Sequence, residues 1–118
     1  MVNIRFVLLI VAITFGAALG ENIVGVITKG QKMKIRLLNG FNGICSTRPS
    51  RECMNMLKSA ENLLSDLEMH FYRINMKAQE VFGVNMREKD NRLLQYAQDL
   101  LTNNRRVIEQ KLKQNSKA

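Results

Sequence analysis

The sequence predicts an all-α domain, a small up-down bundle of three helices built around a long antiparallel helical hairpin. Three observations predict it. Apolar residues recur at steps of three and four through most of the chain from 53 to 112. There is one proline, Pro49, and no tryptophan, while Leu, Ile, Val and Met are plentiful. The strong breakers fall in two places, Asn39-Gly40 with Asn42-Gly43, and Gly83.

Taken in order, residues 1–20 have the anatomy of a secretory signal peptide. Arg5 supplies a positive n-region, Phe6 to Ala18 is an apolar run of 13 residues, and Ala18 and Gly20 stand at −3 and −1 of a cut before Glu21. A membrane anchor is the competing reading, but a bilayer needs about 20 apolar residues. The expected product is a single secreted domain, residues 21–118, delivered to an extracellular or lumenal fluid.

Residues 22–39 admit two readings. Ile23, Val26, Ile27, Gly30, Met33, Leu37 and Phe41 mark one helix face. Met33-Lys34-Ile35-Arg36-Leu37 alternates as a strand does, and Val24, Val26, Ile27 and Thr28 are β-branched, which leaves a hairpin as the alternative. A break near Gly30 would give four helices in place of three. Residues 39–49 read as a loop, with Thr47 and Pro49 announcing the next helix.

The second helix is expected over about 50–82, with a stripe of Cys53, Met56, Leu57, Ala60, Leu63, Leu64, Leu67, Phe71, Ile74, Ala78 and Val81. Gly83 suits the left-handed position after a helix. Asn85 followed by Glu88 suggests a capping box for a third helix over about 86–113, striped by Met86, Leu93, Leu94, Ala97, Leu100, Leu101, Val107, Ile108 and Leu112. A connection of about three residues makes these two helices antiparallel neighbours. The polar end, 113–118, is expected to fray. Met54, Met69 and Met76 sit off the main stripe, either as flank packing against the first segment or as an adaptable contact surface.

Cys45 and Cys53 imply a disulfide in a secreted chain. An intrachain staple across this short loop is the expected form, and a bridge between two chains is the alternative. No metal site is expected: the single histidine, His70, is distant and there is no Cys-x-x-Cys.

The formal charge is +8, and after Arg5 leaves seventeen Lys and Arg face ten Asp and Glu. Residues 21–60 carry seven basic and two acidic groups, and residues 87–118 carry eight and four. Two basic groups follow: Lys29, Lys32 and Arg36 on one helical face with Lys34 beside them, and Arg105, Arg106, Lys111, Lys113 and Lys117 toward the end. Ordinary solubilising charge is the plain reading of both. The chosen partner-binding residues are Arg105, Arg106, Lys111 and Lys113, with the loop held by Cys45 and Cys53. A dedicated nucleic-acid partner is not expected, because Tyr72, Tyr96 and the phenylalanines are not interleaved with the basic groups.

Catalysis finds no motif: there is no Gly-x-Ser-x-Gly, His-Glu-x-x-His, P-loop or Gly-x-Gly-x-x-Gly. His70 reads as a packing residue. Glu61, Asp66, Glu68 and Glu80 read as a solvated helix face, and Glu52 with Lys58 and Glu80 with Lys77 as weak surface pairs. A non-enzymatic protein without cofactor is expected.

The layout over residues 1–118 (a short signal peptide, a mature chain near 100 residues, the Cys45 and Cys53 pair, long basic helices) resembles the small salivary effectors of blood-feeding insects, and in particular the anophensin and albicin group of anopheline mosquitoes. That resemblance implies a secreted inhibitor of a host plasma cascade, the alternative complement pathway or the kallikrein–kinin contact system, acting by protein–protein contact. It assigns no functional residue. The other two classes in play are a cationic antimicrobial or anionic-surface binder, for glycan or membrane, and a small lipid or odorant carrier. Nothing in the sequence sets an oligomeric state.

Overall fold

The computed structural model describes residues 4–45 and 50–116, with side chains from Asn22 to Cys45 and from Ser50 to Asn115. The signal-peptide side chains and the expected helix start at Thr47 and Pro49 lie outside these. Three α-helices make up the fold: α1 over Ile4–Asn42, α2 over Arg51–Val81 and α3 over Glu88–Ser116, with a short 3₁₀ turn at Gly83–Asn85. Among the described residues there is no strand, and no helix is long and apolar enough to cross a membrane.

The ambiguous 22–39 segment is helical throughout. In a strand, Met33, Ile35 and Leu37 would share a face. Instead Met33 and Leu37 are 3% and 2% exposed while Ile35 is 58% exposed, so the i, i+4 period decides. Neither Gly30 nor Gly40 breaks α1, and both corrections to the expected boundaries have one cause. A Cβ at Gly30 would lie 2.8 Å from Leu100 Cδ2, and one at Gly40 would meet Met56 Sδ. Each glycine therefore lets a neighbouring helix come close, and the packing gained outweighs the helix propensity lost. The helix closes where Gly43 N and Cys45 N both donate to Gly40 O at 3.2 and 2.8 Å, so the loop begins four residues after its expected start.

Ser50 caps α2, its Oγ accepting from Cys53 N at 3.0 Å, with Glu52 in the first turn. Cys53, Leu57, Ala60, Leu64, Leu67, Ile74 and Ala78 form the buried stripe. Leu63 and Val81, assigned to it from sequence, are exposed instead. Gly83, at φ +51, takes the left-handed position expected of it. The third helix begins at Glu88 and not at Met86. Asn85 is spent in the 3₁₀ turn, and Met86 stays extended (φ −63, ψ 133), which carries its side chain into the core and delays the helix. Glu88 pairs with Arg92 at 2.6 Å and caps nothing.

Partners along α2 and α3 run in opposite directions, Ser50 against Asn115 and Ser65 against Arg105. Partners along α1 and α3 rise together, Gln31 with Tyr96 and Phe41 with Lys111. One core joins all three helices. On α3 the seam reads Leu94, Ala97, Leu101, Asn104, Ile108, all buried, a 3-4-3-4 spacing with one polar member. Asn104 is 1% exposed and its Nδ2 donates to Gly30 O at 3.0 Å. No side-chain polar atom in the described interior lacks a partner. The end expected to fray is helical to Ser116, because Asn115 Oδ1 accepts from Ser50 N while its Nδ2 donates to Ser50 O.

Candidate functional site

Cys45 and Cys53 are joined within the chain, with Cα atoms 5.1 Å apart. The bond ties the turn after α1 to the first turns of α2, and with the Ser50–Asn115 pair it fixes all three helices at one end.

The four cations chosen from sequence do not converge. Arg105 turns inward to α2, where it hydrogen-bonds Glu68 and Ser65 and lies 3.7 Å from Glu61. Its guanidinium is held above its already high pKa chiefly by the Glu68 hydrogen bond, against the opposing effect of burial. Lys111 turns to α1 and sits 4.8 Å over the Phe41 ring. Arg106 and Lys113 are exposed, and Arg106 Nη2 donates to Asn103 Oδ1 at 2.6 Å. Two of the four are thus struts of the fold. By the same contacts, Glu61 and Glu68 are not merely a solvated face. The expected Glu52–Lys58 and Glu80–Lys77 pairs do not form: Glu52 and Lys58 are six residues apart and face different ways on α2, and Lys77 and Glu80 stand at i, i+3 without pairing.

The other basic group does converge. Lys29, Lys32 and Arg36 stand at i, i+3 and i+7 on α1 and form one lip of a groove between α1 and α2. None of the three makes an ion pair or side-chain hydrogen bond among the described residues. The groove consists of two adjoining hollows of about 450 and 340 Å³. The first is lined by Asn22, Gly25, Val26, Asp66, Leu67 and His70, the second by Met33, Ser59 and Ala60, and Lys29 and Leu63 line both. Leu63 is 42% exposed. Like Val81 it is a residue that sequence periodicity puts in the core, and the structure leaves it at the middle of the groove, on the α2 lip facing the cations.

This arrangement offers charge and apolar surface side by side, which is a means of binding. It offers no nucleophile–base pair: His70 has no hydrogen-bonded partner among the described residues, and no cluster there of three or more His, Cys, Asp or Glu could hold a metal. Sequence reasoning noticed the Lys29–Lys32–Arg36 face but did not choose it. The signal that could have promoted it is the acid-poor composition of 21–60, where no α1 carboxylate after Glu21 is available to neutralise these cations. Of the methionines read either as flank packing or as an adaptable contact surface, Met69 and Met76 are exposed and Met54 is half-buried.

No protein-family model, curated protein or solved structure matches the chain.

Proposed function

We propose that the protein is a secreted, non-enzymatic binding protein that engages an extracellular protein through the α1–α2 groove, and that it inhibits a host plasma cascade by occupying that partner. The observation that carries the binding reading is the row Lys29, Lys32, Arg36: three cations, unpaired among the described residues, along one groove and facing the exposed Leu63, whereas Arg105 and Lys111 serve the fold. Cations kept out of internal pairing steer and orient an anionic partner. The disulfide suits an oxidising compartment. The choice of a plasma cascade rests on the resemblance to salivary effectors.

The test is to express the full chain in a secretory host, sequence the N-terminus of the protein in the medium, and use that protein to retain partners from plasma at physiological salt. The expected product begins at Glu21. It retains a complement or contact-system component, and the Lys29→Glu/Lys32→Glu/Arg36→Glu variant does not. A chain that stays in the cell overturns secretion. Retention unchanged by the triple variant overturns the groove as the binding surface.

A further inference from the structure

We infer that the occupant of the α1–α2 groove is an acidic amphipathic helix contributed by the partner protein. This deepens the proposed function and rests on the groove being the binding surface.

The groove runs from Asn22 beside His70 to Arg36 beside Ser59. At 1.5 Å per residue that is about 21 Å along α1, the length of a helix of about 14 residues. A seam between two packed helices presents ridges and grooves that receive a third helix. Leu63, exposed on the α2 lip, is the apolar anchor shared by both hollows, and Val26, Met33, Ala60 and Leu67 line the groove from below as buried core residues. An incoming helix with an apolar stripe would cover Leu63 while its flank meets the cations, as amphipathic helices do in receptor grooves.

Charge fixes the sign of the flank. The α1 lip carries Lys29, Lys32 and Arg36, so carboxylates one turn apart on one side of the incoming helix would meet cations one turn apart. The α2 lip is different, with Ser59, Asp66 and His70. That asymmetry argues against a sulfated polysaccharide, whose charges would meet Asp66 on one lip and gain nothing from Leu63. A bilayer is disfavoured by the recess itself, because Val26, Met33 and Leu67 are buried below the lips and cannot insert.

The probe is a fluorescein-labelled synthetic peptide of about 14 residues with leucine at helical three–four spacing and glutamate along one flank. Its control carries serine for each leucine at unchanged charge. Both are titrated by fluorescence anisotropy, at physiological salt, with the disulfide-bonded protein purified after expression of the full chain. The expected result is saturable binding of the leucine probe. It weakens tenfold or more in Lys32→Glu/Arg36→Glu and in Leu63→Asp, and threefold or more in the milder Leu63→Ala. The serine control binds at least tenfold less tightly. Circular dichroism melting curves unchanged in these variants establish that the fold is kept, as their exposed positions predict. Equal binding of leucine and serine probes, or displacement of the probe by a heparin fragment that itself ignores Leu63→Asp, overturns the inference in favour of a plain polyanion surface. No saturable binding of the leucine probe overturns it outright. If plasma retention still depends on Lys29, Lys32 and Arg36 in that case, the proposed function stands and only the helical occupant falls.

Discussion

At the scale of single residues, Asn104 and Gly30 together hold α1 and α3 in register. Asn104 occupies a seam position where an apolar residue would pack equally well, and its amide reaches one carbonyl across the interface. A polar group there penalises any slide of the helices, because a shifted Asn104 would be buried without its partner. Asn104→Ala is expected to lower stability by about 1–3 kcal/mol, seen as a lower denaturant midpoint. Gly30→Ala should also destabilise, by about 1–2 kcal/mol, since the new methyl meets Leu100 Cδ2 at 2.8 Å and Cγ at 3.2 Å in a buried side chain. The gain in helix propensity, up to about 1 kcal/mol, only partly offsets that. A thermal melt of Gly30→Ala above the wild type would show that the close approach is not needed.

At the scale of elements, each helix is made by its own period and ended by a specific contact. The start of α2 is secured three times over: by the Ser50 cap, by the disulfide at Cys53 and by the two hydrogen bonds from Asn115 on the far helix. Removing the bridge in Cys45→Ser/Cys53→Ser frees a loop whose closure is worth about 2–3 kcal/mol, and the double variant should unfold at correspondingly lower denaturant. Because the Ser50 and Asn115 contacts remain, the variant should still fold, and its far-ultraviolet helical signal should match the wild type at low temperature. Complete loss of that signal would mean that the disulfide alone organises this end.

At the scale of the molecule, two groups of basic side chains do different work. Arg105 balances Glu61 and Glu68 inside the α2–α3 face, whereas Lys32 and Arg36 face an open groove. Arg105→Glu would set three carboxylates together and should cost about 1–3 kcal/mol. Lys32→Glu/Arg36→Glu should leave stability within about 0.5 kcal/mol while abolishing partner retention. Chemical denaturation of both variants separates the two groups, and equal losses would refute the division. The raised pKa of Arg105 means that its stabilising effect is complete below the ordinary arginine value and fades only as pH climbs through the folded-state value. From the Arg105 side the contribution should therefore not vary across extracellular pH.

The helices and their order were legible in the sequence because helix formation answers to local spacing. Ile23, Val26, Met33 and Leu37, and then Cys53 through Ala78, bury one face wherever the period is held. The left-handed Gly83 and the Cys45–Cys53 pair were legible for similar reasons, a backbone preference in one case and two cysteines across a short loop in the other. What the tertiary structure alone decided is which side of each stripe another helix covers. Two neighbours can cover only part of a broad apolar face, so Leu63 stays in the groove although its spacing matches the core. A glycine ends a helix when nothing packs on it, so Gly40, lying against Met56, continues one. Cations that adjoin along the chain point to different helices, so Arg105 and Lys111 become struts while Lys29, Lys32 and Arg36 remain available. Periodicity specifies the direction of a side chain from its own axis; only the placement of the second and third axes specifies what that direction meets.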